Sequence, residues 1–278
     1  MVFIRKGIQN ISKFYNLRVC HSTFNNNNIG LVPIIGSFHK GHENLIQNAV
    51  EECDNVIVSF NHHAEYILKN RYYRKTVSQT QFQTQTNFNN FQNDIIYLKN
   101  NFTNLKFIEC SMNNEYTCNF TYEYQFLIEK LIDAKKPNKI YYQFHELDEC
   151  SLLHNIVNKS FPEIHLRLLP VERYDHGLAY SSRNIGLSKT QFRDASIINH
   201  ALETSKKMIY KGENYAIVEV KHIIIEELHK SAFVNDVDID LIQFPSMEKV
   251  EHLDSTIPTI IALRAHYGDN ILVDHILI

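Results

Sequence analysis

A polar run, Asn25 to Asn28, gives way at once to Ile29-Gly30-Leu31-Val32-Pro33-Ile34-Ile35, a short continuous apolar stretch bounded by turn residues. Apolar on both faces, such a run reads as a buried parallel strand. From Gly41 the period becomes helical: Leu45, Ile46, Ala49 and Val50 share one face, and Glu51-Glu52 close the segment before the β-rich run Asn55-Val56-Ile57-Val58-Ser59-Phe60. Strand, helix, strand is a βαβ unit. The same alternation predicts strands at residues 105–109, 139–142 and 164–170, with helices near 122–134 and 152–159. A Rossmann-like, doubly wound parallel sheet of the α/β class is the economical architecture for that order.

Two stretches depart from it. Residues 79–93 are dominated by Gln, Asn, Thr and Phe and read as a loop leading into a helix. Just before them, Lys69, Arg71, Arg74 and Lys75 surround Tyr72 and Tyr73. Basic and aromatic side chains together can bind nucleic acid, but a solvated helix face or part of a lid is the preferred reading.

After Asn184 the pattern changes. Ser188 with Gln191 three residues on is a capping-box start, and Ala195, Ile198, Leu202 and Ile209 mark one face of a helix ending at Gly212. A second helix is expected over 215–229, then strands at 237–241 and 271–278. The division this suggests is a nucleotide-binding domain at 1–184 and a smaller α+β C-terminal domain at 185–278, closing over a nucleotide.

Composition narrows the function. With 44% hydrophobic and 21% charged residues, the 278-residue chain can bury a sizeable core. Its 31 acids against 28 bases give a net charge of −3, so no global field favours nucleic acid or an anionic membrane, and any polyanion must be met locally. Five cysteines without a CxxC pair fit reduced thiols better than a disulfide framework or a zinc site. No signal peptide and no apolar run of membrane-spanning length is seen, so a cytoplasmic location is expected.

The sharpest chemical signal is His39-Lys40-Gly41-His42, between the first predicted strand and its helix. Ligands of doubly wound folds bind at that point. A helix N-terminus offers free amides and partial positive charge to phosphate, and histidines three apart lie on one face of its first turn. Gly41 leaves no side chain between backbone and nucleotide. Two histidines there by accident, or as metal ligands, is the alternative. A second signal, Asp175-His176-Gly177-Leu178-Ala179-Tyr180-Ser181-Ser182-Arg183-Asn184, follows the last predicted strand of the first domain. Two hydroxyls beside a guanidinium make a compact phosphate-binding set, and Arg183 suits the charge that develops on a departing pyrophosphate. A turn capped by serines is the plainer reading of Ser181-Ser182 alone.

On these motifs the chain resembles the pantothenate synthetase (pantoate-beta-alanine ligase) family, of the HIGH-motif nucleotidyltransferase superfamily. Residues 32–42 resemble that family's V-P-T-M-G-x-L-H-x-G-H, and residues 170–188 its P-T-x-R-x-x-D-G-L-A-x-S-S-R-N-x-x-L-S. Residues 56–66, 137–149 and 268–278 lie on further family segments. The resemblance implies a two-step reaction: pantoate carboxylate attacks the α-phosphate of Mg·ATP, and beta-alanine then displaces AMP from the acyl-adenylate. It further implies that His39 and His42 hold ATP phosphates with Gly41, that Ser181, Ser182 and Arg183 hold the phosphate tail, and that Pro33, Ile34, Ile35 and Glu146 border the nucleotide. A homodimer is implied as well. No metal ligand is assigned.

The departures from the family pattern fall on functional positions. Ile34-Ile35 replace a Thr-Met pair, and His145-Glu146 replace Lys-Asp; a histidine catalyst is only partly protonated near neutrality, so the reaction becomes pH-dependent. Two glutamines that grip pantoate align with Glu65 and Glu149, and paired carboxylates repel a carboxylate substrate. Residues 117–123 stand where the family has a glycine-rich segment bearing arginine and histidine. Three readings stay open: a divergent ligase of this family, a nucleotide-binding relative with another acceptor acid, and an inactive paralogue.

Overall fold

Each apolar run expected to be a strand before residue 184 enters one six-stranded sheet. The computed structural model describes residues 15–19, 28–61, 85–112, 120–144, 147–209 and 214–278. Strands β1 (Tyr15–Val19), β2 (Ile29–Ile35), β3 (Asn55–Asn61), β4 (Leu105–Met112), β5 (Lys139–Gln143) and β6 (His165–Leu169) lie in the order β1-β4-β3-β2-β5-β6. The pairs β2 with β3, β3 with β4 and β2 with β5 are parallel. At one edge β1, which the sequence pattern did not single out, runs antiparallel to β4. The chain steps from β2 outward to β4, then crosses back to β5 and β6. Its winding reverses between β2 and β5, the place where a doubly wound sheet opens a crevice at the strands' carboxyl ends. The paired register of β2 and β5 ends at Leu31, two residues before Pro33, which has no N–H to extend a ladder.

Helices α1 (Lys40–Glu52), α2 (Gln85–Asn101), α3 (Phe120–Lys135) and α4 (Leu147–Ser160) alternate with these strands. Alternation along β2 and β3 sends Val32, Ile34, Val56, Val58 and Phe60 to one face, where Leu45, Ile46 and Ala49 of α1 and Leu98 of α2 pack on them. Leu31 and Ile57 point the other way and are as fully buried. Both faces are therefore covered, which is why the strands carry almost no polar positions.

The far end of α1 is tied down by charge. Glu52 accepts hydrogen bonds from Lys139 Nζ (2.9 Å), Tyr141 Oη (3.0 Å) and Arg167 (2.6 Å), joining the helix to β5 and β6. The Arg167 bond first, then that of Lys139, holds the Glu52 carboxyl down at about 2.

The chain divides into two compact units, the first made of residues up to Tyr142 together with Leu152–Leu169, the second of Gln143–Ser151 and Pro170–Ile278. The boundary expected at residue 184 falls inside the second unit. There a four-stranded antiparallel sheet, β12-β11-β8-β9, is built from β8 (Val234–Gln243), β9 (Glu248–Val250), β11 (Thr259–Tyr267) and β12 (Asn270–Leu277). A separate pair joins β7 (Asn214–Ala216) to β10 (His252–Asp254). Helices α5 (Lys189–Asp194), α6 (Ser196–Met208) and α7 (Ile217–Leu228) accompany them, and Ala201, Leu202, Val220 and Ile224 pack against Leu241, Ile261 and Leu263.

The Ser188 and Gln191 capping box forms as expected. The single helix expected after it is two, interrupted at Ala195, where Ser196 Oγ bonds back to the Arg193 carbonyl. Strand β11 is a correction too. The sequence pattern predicts no strand there: alternation begins only at Ile261, the third of three buried residues, and the segment becomes a strand by pairing at the centre of the second sheet, beside β8. Among the described residues, no helix is long and apolar enough to cross a membrane.

Candidate functional site

The first group of site residues is assembled where β2 hands over to α1. Gly36 turns the chain with a φ of 81°, a conformation that favours glycine. His39 then caps α1: its backbone is extended, and its Nδ1 accepts the Gly41 N–H at 3.1 Å. That bond settles the tautomer, because an Nδ1 that accepts leaves the proton on Nε2. Burial pushes the His39 pKa down to about 4, so near neutrality the ring is an uncharged N–H donor rather than a cation. His42, one turn on, stacks on His39 with ring centroids 3.9 Å apart and planes 26° from parallel. Two charged imidazoles at that spacing would repel, so the stack disfavours charging both rings at once. The Gly41 N–H is already capped by His39, and the His42 and Glu43 N–H groups bond the His39 carbonyl, so what this turn offers an oxyanion is the partial positive charge of the helix start and the imidazole N–H donors.

Around this turn the strand residues take different parts. Ile34 is wholly buried in the core beneath α1, and Pro33 is buried as well, so their side chains hold the sheet and only their backbone remains for a ligand. Ile35, the last residue of β2, is half-buried. Gly41 is buried in the first turn of α1.

The second group lies in the second unit and is built on a short hairpin. Tyr174 N bonds the Leu178 carbonyl (2.8 Å), Gly177 N bonds the Tyr174 carbonyl (2.8 Å), and Tyr180 N bonds the Glu172 carbonyl (2.9 Å). Gly177 closes the turn at a φ of 98°, with Asn199 too near for a side chain to fit easily. The chain next enters a 3-10 turn, Ser182–Gly186, capped by Ser181, whose Oγ accepts the Arg183 N–H at 3.2 Å. A hydroxyl that accepts there keeps its own proton to donate. Buried Asn184 fixes the turn from below by donating to the Ala179 carbonyl at 2.8 Å. Ser181, Ser182 and Arg183 are thereby held on one rigid turn, all half-buried.

Sequence reasoning assigned no role to Arg173, yet this residue anchors the hairpin. Its guanidinium grips Asp274 of β12 with two bonds, 2.5 and 2.8 Å, and donates to the Gly177 carbonyl at 3.1 Å. Asp274 is 4% exposed. The signal available was the arginine two residues before the Asp175-His176-Gly177 turn; its partner 101 positions away could not be read from spacing. Beside Asp274, His275 packs on Phe144 at 5.6 Å, and burial pushes its pKa down to about 4.

Glu149, in the first turn of α4 and within the second unit, is 3% exposed. The neighbouring Cys150 thiol is raised by burial and, secondarily, by the Glu149 charge. Glu65, His145, Glu146 and the 69–75 basic-aromatic segment lie outside the described residues, so the expected pairing of Glu65 with Glu149 is not on view. Among the described residues no group of three metal-ligating side chains forms.

A family model described as pantoate-beta-alanine ligase matches residues 7–277. A pantothenate synthetase from Clostridioides difficile is 24% identical over 274 residues, covering 89% of this chain and 90% of the relative. One from Clostridium botulinum is 27% identical over 262 residues, with 90% and 91% covered. Among solved structures, pantothenate synthetase from Thermus thermophilus superposes with a TM-score of 0.68 at 15% identity, covering 90% of this chain and 92% of that one. Pantoate-beta-alanine ligase from Francisella tularensis, complexed with beta-gamma ATP and beta-alanine, gives 0.58 at 21% identity, with 99% and 95% covered.

Proposed function

The chain belongs to the pantoate-beta-alanine ligase family, and we propose that it joins a pantoate-like carboxylic acid to beta-alanine at the expense of ATP. The acid's carboxylate oxygen attacks the α-phosphorus and pyrophosphate leaves, giving an acyl-adenylate. The amine nitrogen then attacks the acyl carbon and AMP leaves, giving the amide. The observation that carries this reading is the stacked His39 and His42 pair on the first turn of α1, at the carboxyl end of β2 beside the point where the winding reverses.

In this reading His39 gives its Nε2 proton as a hydrogen bond to a phosphate oxygen, held in that tautomer by Gly41 N–H. Because the ring is neutral, its contribution does not fade as pH rises through the ordinary histidine range. His42 and the partial positive charge of the helix start add to this, fixed before the nucleotide arrives, so little reorganisation accompanies the change of charge at phosphorus. Ser181, Ser182 and Arg183 hold the phosphate tail, Arg183 offsetting the charge that grows on pyrophosphate. Magnesium is read as part of the Mg·ATP substrate: it characteristically keeps waters and phosphate oxygens as ligands and needs few protein groups.

Replacing both histidines with alanine is expected to weaken ATP binding, each charge-assisted bond lost costing roughly 1.5 to 3 kcal/mol. Unchanged ATP affinity with intact circular dichroism would remove the site assignment. A second reading keeps the nucleotide chemistry but changes the acid, and Glu149 favours it: a buried carboxylate stands where the family pattern has a glutamine. ATP-pyrophosphate exchange across a panel of small carboxylic acids separates the two. Exchange driven by pantoate supports the first, exchange driven only by another acid supports the second, and silence with every acid removes both.

A further inference from the structure

Glu43 poses a problem for any anion at the start of α1. It is the acidic residue in the helix's first turn, adjacent in sequence to His42, so its carboxylate is drawn to the same partial positive charge that would hold a phosphate. The structure gives that carboxylate another partner. Tyr97 of α2 donates its phenol proton to Glu43 Oε1 at 2.6 Å, across 54 residues of sequence. The bond has a charged acceptor and so belongs to the stronger class. It also raises the Tyr97 pKa, so the phenol keeps the proton it donates.

The same tyrosine touches the histidine stack by another route. Its ring lies 6.2 Å from that of Phe38, and Phe38 in turn lies 6.2 Å from His42, with planes only 23° apart. Tyr97 can hold this position because the next residue, Leu98, is wholly buried in the core among Val32, Ile34 and Phe60, which fixes α2 in register. One side chain therefore restrains both the competing acid and the aromatic support of His42.

We propose that Tyr97 is a positioning residue of the nucleotide turn: by holding the Glu43 carboxylate it leaves the first turn of α1 to the phosphates of ATP. This rests on the reading of that turn as the ATP site, and deepens it. In Tyr97→Phe the ring and its packing stay, but Glu43 is released to compete with phosphate. ATP is expected to bind roughly two- to fivefold more weakly, the range of a single charge at a helix terminus. Adding Glu43→Gln to that variant removes the competing charge and is expected to restore the wild-type affinity, which a merely structural role for the tyrosine would not do.

The test is calorimetric titration of wild type, Tyr97→Phe, Glu43→Gln and the double variant with Mg·ATP, alongside KM for ATP and kcat in the exchange assay. The expected result is a raised Kd and KM for ATP in Tyr97→Phe with kcat little changed, and recovery in the double variant. Equal Kd in wild type and Tyr97→Phe, or a double variant no better than Tyr97→Phe, overturns the inference while leaving the ATP site standing. A wild type that binds no ATP overturns the site itself and this inference with it.

Discussion

Two half-buried histidines, His39 and His275, make the protein's stability a function of pH with a calculable slope. In the unfolded chain a histidine titrates near 6.5; in the folded chain burial holds both His39 and His275 at about 4. Between those values the unfolded state binds more protons than the folded one, so stability rises with pH across the window and falls as pH drops through it. Below about 4 the folded protein is protonated as well and the loss levels off. From pH 7 to pH 5 each group is worth up to about 2 kcal/mol. Urea unfolding at both pH values should show it, for wild type, His39→Asn, His275→Gln and the double variant. Asparagine is a suitable N-cap and does not titrate, so the first change keeps the start of α1 intact. Each single variant is expected to lose up to about 2 kcal/mol less than wild type on acidification, and the double variant roughly twice that saving. Since His39 and His275 belong to different units, any separate transitions should each respond to one variant only. Four proteins with the same loss between pH 7 and pH 5 would refute the assignment of neutral imidazoles.

Two further outcomes are expected. Asp274→Ala strands the Arg173 guanidinium and frees the hairpin before Ser181, so it should destabilise the protein by about 3 kcal/mol and weaken ATP binding; unchanged melting and unchanged ATP affinity would show that the pair holds nothing. If Glu65 and Glu149 border the acid, changing both to glutamine should raise kcat/KM for pantoate in the exchange assay, and a double variant indistinguishable from wild type would remove both from that pocket.

Much of the first unit could be read directly because its strands are buried on both faces and its helices on one. Burial of that kind imposes an unbroken apolar run on β2 and β3, and the 3.6-residue period on α1. The first candidate group was legible for a related reason: the histidines, the glycine and the helix start that positions them are all within four residues of one another. The second unit was less legible. Its central strand β11 alternates as a half-covered strand should only from Ile261 to Tyr267, yet so short an alternation is a weak signal beside a helical one, and only pairing with β8 and β12 makes it a strand.

What the sequence determined by itself was therefore what depends on neighbours in the chain: the βαβ order, the capping box at Ser188, the two histidines three apart and the Ser181-Ser182-Arg183 turn. Tertiary structure alone decided the rest. It set the neutral state of His39, because a pKa depends on who surrounds the ring. It brought Arg173 to Asp274 and Tyr97 to Glu43, because side chains 101 and 54 positions apart meet only when a sheet and a core have fixed the elements that carry them. A periodicity reports which face of an element is covered; which residue does the covering is settled only when the chain has folded back on itself.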